Sequence, residues 1–280
     1  MSVPYYWPLD VTGALARRVE RAEIEFCAEA GAVGTRAGVA SLEAGGGRAL
    51  FGVTGSPMNK MLGLGVDASV TDEELDAIEA FYAKHNSPAQ IELCPLAAAD
   101  VAPRLSARGF ALQGFESQLA RALGGGRAAP EAGAALRVAR TSPDDETAWL
   151  DIVSEGFAAP DPSGSVTPES VDYVRGVMEQ FNHPAIARYL VWADGMPAGG
   201  GAAYVRDGVL GIFGTATLPG FRRRGVQTAL VTHVLADATG RADLAITTTE
   251  PGSTSQRTFE RLGFRLIYTR AIVVKRSPSG

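Results

Sequence analysis

The chain has 280 residues, of which 46% are hydrophobic and 20% are charged, and its formal charge is −5 at pH 7. This balance is typical of a folded globular protein, and the length accommodates two domains of ordinary size. The acidic total argues against a broad nucleic-acid-binding surface, because such a surface needs an excess of basic residues.

The sequence pattern shows no sign of export or of a membrane span. The start of the chain has no positively charged segment followed by an apolar stretch, and a run of about 18 apolar residues occurs nowhere. Cys27 and Cys94 are the only cysteines, too few and too far apart for a metal site or a disulfide framework. We therefore predict a cytoplasmic protein with buried thiols, no metal and no membrane partner, present as a monomer or a homodimer.

The first half carries signals for both helices and strands. Thr71 precedes the acidic run Asp72–Glu74, which predicts a helix with Thr71 as its N-cap. A strand is predicted over 90–93. Gly109 is predicted to end a helix in a left-handed conformation, just before another strand.

A stretch rich in glycine, alanine and proline at 124–135 is predicted to be an interdomain linker. It separates residues 1–123 from residues 136–280. The pair Gly109–Phe110 recurs as Gly263–Phe264 near the end of the second half, each time between a predicted helix and a predicted strand. This echo indicates duplication of one fold, although the same pattern also arises by chance.

The second half has a regular succession of elements. Ser142 opens a predicted helix, and alternating polarity predicts the strands that follow. The predicted elements are strands over 187–193, 199–205 and 209–217, a helix over 226–238, a strand over 243–248, a helix over 254–262 and a final strand pair over 264–275. This order predicts an α/β (α+β) fold with a mixed sheet covered by helices.

One run joins a strand, a turn and a helix in a way that favours anion binding. The strand ends at Thr217, the arginines Arg222, Arg223 and Arg224 follow with Gly225, and a helix begins at once. Such a turn directs free backbone N–H groups and the positive end of the helix dipole toward a phosphate, and glycine permits close approach. A solvated basic loop or a nucleic-acid contact would also explain the arginines.

The run resembles the acetyl-CoA-binding motif of the GNAT superfamily of acetyl-CoA-dependent N-acetyltransferases, (Arg or Gln)-x-x-Gly-x-(Gly or Ala). Arg222, Gly225 and Gln227 occupy the signature positions, and Gln227 departs from the usual small residue. The predicted helix that ends at Gly263 is similar to the family's following motif. The resemblance implies a tandem member with a degenerate first copy. Each of its two GNAT-like domains would have a mixed, mostly antiparallel twisted sheet flanked by helices, and a splayed strand pair would hold acetyl-CoA in the second domain.

The resemblance also implies which residues contact the cofactor. They are Ala216, Thr217, Leu218, Arg222, Arg223, Arg224, Gly225, Val226, Gln227, Thr228, Ser255 and Gln256. The strand end would present backbone groups to the pantetheine arm and the acetyl carbonyl, and the turn would hold the pyrophosphate. Ser255 and Gln256 would serve equally well as helix caps. The implied reaction is direct transfer of the acetyl group to a primary amine of a small or amino-acid-like acceptor.

The catalytic groups that the family often uses are missing from their usual positions. A tyrosine that protonates the departing thiolate would stand where this chain has Phe259. The strand over 209–217 contains no carboxylate that could serve as general base. Glu250 is therefore a candidate base acting through water, and Tyr268 and Ser255 are candidate proton donors.

The acceptor pocket is expected to involve the aromatic residues Phe157, Tyr173 and Phe181, which would otherwise be core residues. His183 lies next to them in the sequence and is a further candidate base. His233 is predicted to be a packing or surface residue. The first half has no arginine-glycine turn, so it is expected to close the acceptor site or to stabilise the molecule.

Two other functions remain open. A noncatalytic acetyl-CoA-binding regulatory protein is compatible with Phe259 and with the missing strand carboxylate. A nucleic-acid-binding protein would use the three arginines and would show strongly salt-dependent affinity, but the acidic total disfavours it.

Overall fold

The computed structural model describes residues 11–35, 38–124, 136–160 and 169–276. Within these ranges the chain forms one mixed sheet of eleven strands with seven α-helices packed on its two faces. The elements in the first half are α1 (Gly13–Ala32), β1 (Ala40–Ala44), β2 (Gly47–Phe51), β3 (Met61–Leu62), α2 (Asp72–Lys84), β4 (Ala89–Leu93), α3 (Val101–Ala107) and β5 (Ala111–Ala122). Those in the second half are β6 (Leu136–Arg140), α4 (Glu146–Ala158), α5 (Val171–Glu179), β7 (Ile186–Ala193), β8 (Met196–Arg206), β9 (Val209–Thr217), α6 (Val226–Asp237), β10 (Leu244–Thr249), α7 (Thr254–Arg261) and β11 (Arg265–Lys275).

The two halves exchange their last strands. The strand order is β1-β2-β3-β4-β11-β5-β10-β9-β8-β7-β6, so β11 lies between β4 and β5, and β5 lies between β11 and β10. We expected a separate sheet in each half, and the structure instead has a single sheet. The difference arises because alternating polarity predicts that a segment is a strand but not which strand it pairs with. The predicted linker, apart from Gly124, lies outside the described residues.

The halves nevertheless repeat one order of elements. In each half, three strands precede a helix, a strand, a short helix and a long final strand. The third strand is parallel to the strand after the helix in both halves, β3 with β4 and β9 with β10. Gly109 and Gly263 both have left-handed backbone, with φ of +85° and +87°. This shared order supports the duplication that the sequence indicates.

The helix α1 joins the two halves through a common core. Helices α1, α4 and α5 cover one face of the sheet, whereas α2 and α3 cover the other face in the first half and α6 and α7 cover it in the second. On α1, Phe26 stacks on Phe213 of β9 with 3.9 Å between ring centroids, and it meets the edge of Phe181 at 5.5 Å. Burial of one such ring contributes about 2 kcal/mol. The first half therefore packs directly against the strand that ends at the arginine-glycine turn.

Most elements of the second half lie within two residues of their predicted bounds, and the strand Val209–Thr217 is found as predicted. The prediction of two final strands over 264–275 is wrong, because Arg265–Lys275 is one strand with a bulge between Leu266 and Tyr268. Among the described residues, no helix combines the length and the apolar character that a membrane span requires.

Candidate active site

Strands β9 and β10 separate from one another and open a gap in the sheet. They pair in parallel only from Leu244 to Ile246. The last link between them is the Thr247 hydroxyl, which donates to the carbonyl of Ile212 at 2.9 Å. Beyond that point β9 pairs with β8, and β10 pairs with β5. The backbone edges that face the gap have no strand between them and are available to an extended ligand.

The N-terminus of α6 stands at the open end of this gap without a cap. Gly225 is the N-cap residue, with φ of +83°, and no side chain accepts a hydrogen bond from the first turn. The first helical hydrogen bond runs from the Ala229 N–H to the Gly225 carbonyl at 2.9 Å. The amides of Val226, Gln227 and Thr228 therefore lack acceptors within the described residues. Free amides at the positive end of a helix dipole form a binding site for phosphate.

The three arginines before α6 have different partners. Arg222 donates to the carbonyls of Pro160 at 2.6 Å and Ala159 at 3.2 Å, which ties the turn to the end of α4. Arg224 pairs with Asp194, so a carboxylate neutralises its charge. Arg223 has a positive φ of 63° and no ionic partner among the described residues. Among the described residues, its guanidinium also has no hydrogen-bond partner, unlike those of Arg222 and Arg224.

Gln227 crosses the gap between β9 and α7. Its Nε2 donates to Thr215 Oγ1 at 3.0 Å and to Ser255 Oγ at 2.8 Å. A ligand that runs through the gap must move this side chain aside or take over its hydrogen bonds. The glutamine that replaces the usual small residue at this position therefore has a structural consequence, although the backbone N–H of Gln227 stays free.

A cavity of about 1090 Å³ opens from the gap. Most of the residues expected to contact the cofactor line it: Ala216, Thr217, Arg222, Arg223, Gly225, Val226, Gln227, Thr228 and Ser255. Leu218, Arg224 and Gln256 do not. The Leu218 N–H donates to the Ala198 carbonyl at 3.0 Å, and Gln256 Nε2 donates to Glu260 at 2.9 Å. The helix α7 is capped by Ser253, which accepts from the Gln256 N–H.

The residues expected to be catalytic lie in different surroundings. Glu250 lines the mouth of the cavity at an exposed position, and partial desolvation of its carboxyl by the cavity wall raises its pKa. Ser255 Oγ also lines the cavity, and because it accepts from Gln227 its own hydrogen remains free to donate. Tyr268 does not line the cavity. Its hydroxyl donates to Glu20 at 2.8 Å inside the protein, which removes it as a donor to a thiolate. Phe259 is 1% exposed and packs edge-on against Phe264.

The predicted acceptor residues are only partly brought together. Phe157 and Phe181 line the cavity, whereas Tyr173 is 46% exposed on α5 and does not. His183 contacts Glu29 at 3.0 Å, away from the cavity, and His233 packs against the ring of Tyr189. Neither histidine is placed to act as a base in the cavity.

The inner end of the cavity is built by the first half of the chain, which sequence reasoning did not single out. Glu23 and Cys27 of α1, Met58 and Lys60 before β3, and Glu116 of β5 line it together with Phe26 and Phe213. The strand exchange brings Glu116 here, because it places β5 directly beside β10. A carboxylate thus faces the gap from the strand next to β10, although the strand before the arginine-glycine turn has none.

These carboxylates belong to a buried network of charges around Arg270. The Arg270 side chain is 0% exposed and pairs with Glu20 at 3.0 Å, Glu23 at 2.7 Å, Glu92 at 3.3 Å and Glu116 at 3.6 Å. Lys60 pairs with Glu92 at 2.8 Å and Glu23 at 3.5 Å.

The network leaves little room for a metal ion. Oxygens of Glu23, Glu92 and Glu116 lie within 4.8 Å of one another, a spacing that suits a cation. Lys60 and Arg270 already contact these carboxylates, so the protein's own cations take that place.

The pKa values of Glu92 and Glu116 are shifted in opposite directions within this network. Burial opposes ionisation of Glu92, but the Lys60 ammonium and the Arg270 guanidinium outweigh it and hold its pKa below the usual value. Burial raises the pKa of Glu116 well above the usual value, and the neighbouring Glu92 carboxylate raises it further. Glu116 is therefore the member of the network that most readily binds a proton.

Cys27 is the one cysteine on the cavity wall. Burial raises the pKa of its thiol to about 12. The thiol stays protonated at neutral pH and is a poor nucleophile. This environment disfavours an acyl-cysteine intermediate at Cys27.

A sequence signal for this network exists. Arg270 interrupts a largely apolar strand, and Glu20 and Glu23 fall on the buried side of α1. Charged residues at buried positions are almost always paired, so such residues predict one another even when their partners cannot be assigned.

Residues 148–264 match the model of the acetyltransferase (GNAT) family. Among curated proteins, none matches the chain. Several solved structures share its fold. A GCN5-related N-acetyltransferase from Kribbella flavida has 22% identity and a TM-score of 0.69, over 95% of this chain and 96% of that one.

Two further solved structures are similar at lower identity. A tandem GNAT protein from the clavulanic acid biosynthesis pathway has 15% identity and a TM-score of 0.55, over 99% of both chains. A conserved protein of unknown function from Staphylococcus epidermidis has 16% identity and a TM-score of 0.56, over 74% of this chain and 81% of that one. The fold therefore extends over both halves of the chain.

Proposed function

We propose that this chain, in which residues 148–264 match the model of the acetyltransferase (GNAT) family, transfers an acetyl group from acetyl-CoA to the primary amine of a small molecule. Acetyl-CoA is a co-substrate in this proposal, and both substrates bind at the same time. Its pyrophosphate binds the free amides of α6, its pantetheine arm passes between β9 and β10, and its acetyl group reaches the cavity. We also propose that residues 1–123 and 136–280 are two domains joined by a linker over 124–135.

The observation that carries the proposal is the uncapped N-terminus of α6 at the mouth of a strand gap that leads into a cavity. The free N–H groups of such a helix end form a favourable binding site for an anion, and the gap is open to an extended pantetheine arm. The length of the arm then determines where the thioester lies, deep between β9 and β10. The same cavity has room beyond that point for a second molecule.

Protein groups can assist the transfer in three ways. Backbone N–H groups along the gap can stabilise the negative charge that develops on the carbonyl oxygen. Ser255 can donate its free hydroxyl hydrogen to the departing thiolate. Glu250 can accept a proton through water at the mouth of the cavity.

A noncatalytic acetyl-CoA-binding protein is the second candidate, and the position of Phe259 favours it. The phenyl ring is enclosed in the core and offers no hydroxyl to the thiolate. If this candidate is correct, acetyl-CoA binds tightly and no amine is acetylated.

Calorimetry with acetyl-CoA, followed by thiol release across a panel of primary amines, tests the proposal. We expect a micromolar dissociation constant, as is typical of co-substrates, and thiol release that depends on the amine. Binding without amine-dependent release would favour the noncatalytic protein. Absence of binding would refute both candidates.

A further inference from the structure

We propose that the first half of the chain supplies the acidic groups of the acceptor site, and that this site takes a primary amine with one positive charge on an apolar alkyl or arylalkyl body. The ammonium group would lie between Glu116 and Glu23, and Glu116 would accept its proton. This inference rests on the proposed acetyl transfer and narrows its acceptor.

The charges of the network favour a cation. Glu20, Glu23, Glu92 and Glu116 supply four carboxylates within contact of Arg270 or Lys60, which supply only two positive charges. The network therefore has a surplus of negative charge when its carboxylates are ionised. Glu23 and Glu116 are the members that face the cavity, so a ligand can reach the surplus only through them.

Unpartnered polar groups lie at the same place. Glu116 Oε2 is buried and lies 3.6 Å from Arg270 Nη1, too far for a hydrogen bond, and it has no other hydrogen-bond partner; the side chain as a whole is 24% exposed and lines the cavity. Gln118, two residues along β5 and hence on the same face, is 0% exposed, and neither its Oε1 nor its Nε2 has a partner. Gln118 does not itself line the cavity, but it stands opposite Thr248, which does. Buried polar atoms without partners are uncommon and indicate a group that completes the site.

The remaining walls define the body of the acceptor. Phe26, Phe181 and Phe213 form an aromatic surface beside the carboxylates, and Met58 continues it. Such walls suit an alkyl or aryl group. They offer no counterion to a second ammonium.

A polyamine or a zwitterionic amino acid would fit poorly. Among the described residues on the cavity wall, the acidic ones are Glu23, Glu116 and Glu250, and the basic ones are Lys60, Arg222, Arg223 and Arg261. The basic side chains other than Lys60 stand toward the pyrophosphate end, where they would repel further positive charge. Lys60 is already paired with Glu23 and Glu92, so it is not free to bind the carboxylate of an amino acid.

The proposed reaction begins with deprotonation of the acceptor. The bound ammonium gives one proton to the Glu116 carboxylate, which leaves a neutral amine with a lone pair. The nitrogen attacks the thioester carbon, the C–N bond forms, and the C–S bond breaks with its electron pair going to sulfur. The thiolate takes up the second nitrogen proton, directly or by way of Ser255, and Glu116 releases the first to solvent. The raised pKa of Glu116 suits a base that works near neutral pH.

The test compares 2-phenylethylamine, spermidine and phenylalanine as acceptors for the wild type, for Glu116→Gln and for the control Glu73→Gln, which changes an exposed glutamate on α2. We expect 2-phenylethylamine to be preferred at least about tenfold. Glu116→Gln should lower kcat/KM for it about a hundredfold, as loss of a general base does, and Glu73→Gln should not. The affinity for acetyl-CoA should stay the same in all three proteins, and this also reports that Glu116→Gln is folded.

The pH profile separates a base from a merely structural residue. Because Glu116 acts only when deprotonated and its pKa is raised, kcat/KM of the wild type should rise with pH above the usual glutamate range. Glu116→Gln should lose this dependence. Unchanged kcat/KM in Glu116→Gln, or a preference for spermidine or phenylalanine, would overturn the assignment and leave the proposed acetyl transfer standing. No transfer to any amine would overturn both.

Discussion

The helices α2 and α6 occupy equivalent positions in the two halves, but the N-terminus of α2 is capped and that of α6 is not. In α2 the Thr71 side chain accepts from the Glu74 N–H, and the Glu74 carboxylate accepts from the Thr71 N–H, which forms a capping box. Glu74 also accepts from the Gly45 N–H at 2.8 Å. In α6 the first turn follows Gly225 and has no side-chain cap.

The anion site that we propose at α6 therefore depends on the absence of a cap and of acidic residues at that helix end. The first turn of α2 carries Asp72, Glu73 and Glu74, which satisfy its dipole and repel phosphate. The first turn of α6 has no acidic residue and follows three arginines. The same helix thus stabilises the fold in one half and is left open for a ligand in the other.

Adding a carboxylate to the open helix end should have the largest effect. An aspartate tolerates the left-handed backbone at position 225 better than most residues do. The substitution Gly225→Asp therefore places a negative charge at the amides of α6. We expect acetyl-CoA affinity to fall about a hundredfold, or close to 3 kcal/mol, when measured by calorimetry. Gly225→Asn has nearly the same shape without the charge and is the matched control. Equal losses in the two variants would show that backbone strain, and not charge, weakens binding.

Removing Arg223, whose guanidinium has no ionic or hydrogen-bond partner among the described residues, should have a smaller effect. Arg223→Ala should weaken acetyl-CoA binding about threefold to fivefold, because an exposed charge contributes at most about 1 kcal/mol. Arg224→Ala should change affinity less, because Arg224 already pairs with Asp194. The loss in Arg223→Ala should shrink at high salt. A larger loss in Arg224→Ala than in Arg223→Ala would mean that the ion pair opens when the cofactor binds.

Uncapping α2 should leave binding unchanged and affect only stability. Thr71→Ala removes the acceptor of the Glu74 N–H and should lower the free energy of unfolding by about 1 kcal/mol, as measured by denaturant titration. The backbone hydrogen bonds of Glu74 hold its pKa below the usual value. The contribution of this carboxylate is therefore present above the usual glutamate range and is lost as the pH falls through its lowered pKa. A change in acetyl-CoA affinity would mean that the first half communicates with the cofactor site.

The parts of the fold that depend on local patterns could be predicted from the sequence. The strand over 209–217, the turn at Gly225 and the cap at Thr71 follow from residues that are close in the chain, and the structure has all three. The left-handed glycines at 109 and 263 are of the same kind. The resemblance of the turn to a known family then supplied the expected cofactor and reaction.

The inner half of the candidate site could not be predicted in this way. Glu116 faces the gap only because β5 pairs with β10, and Tyr268 is turned inward only because α1 places Glu20 beside it. Both depend on pairing between segments from different halves of the chain. Local periodicity is the same for every possible partner, so it contains no information about this choice.

The exchanged strands set the order in which the molecule can be completed during synthesis. As the chain leaves the ribosome, β4 and β5 emerge early, but β4 has only β3 beside it and β5 has no neighbour until β10 and β11 follow. The nascent first half must therefore wait with open strand edges, a state in which chains readily associate with one another. Arrival of β11 closes both edges at once and delivers Arg270 to the waiting glutamates. Completion of the sheet and the pairing of Arg270 with the buried acids thus both require the last strand, whereas Lys60 can pair with Glu23 and Glu92 before it.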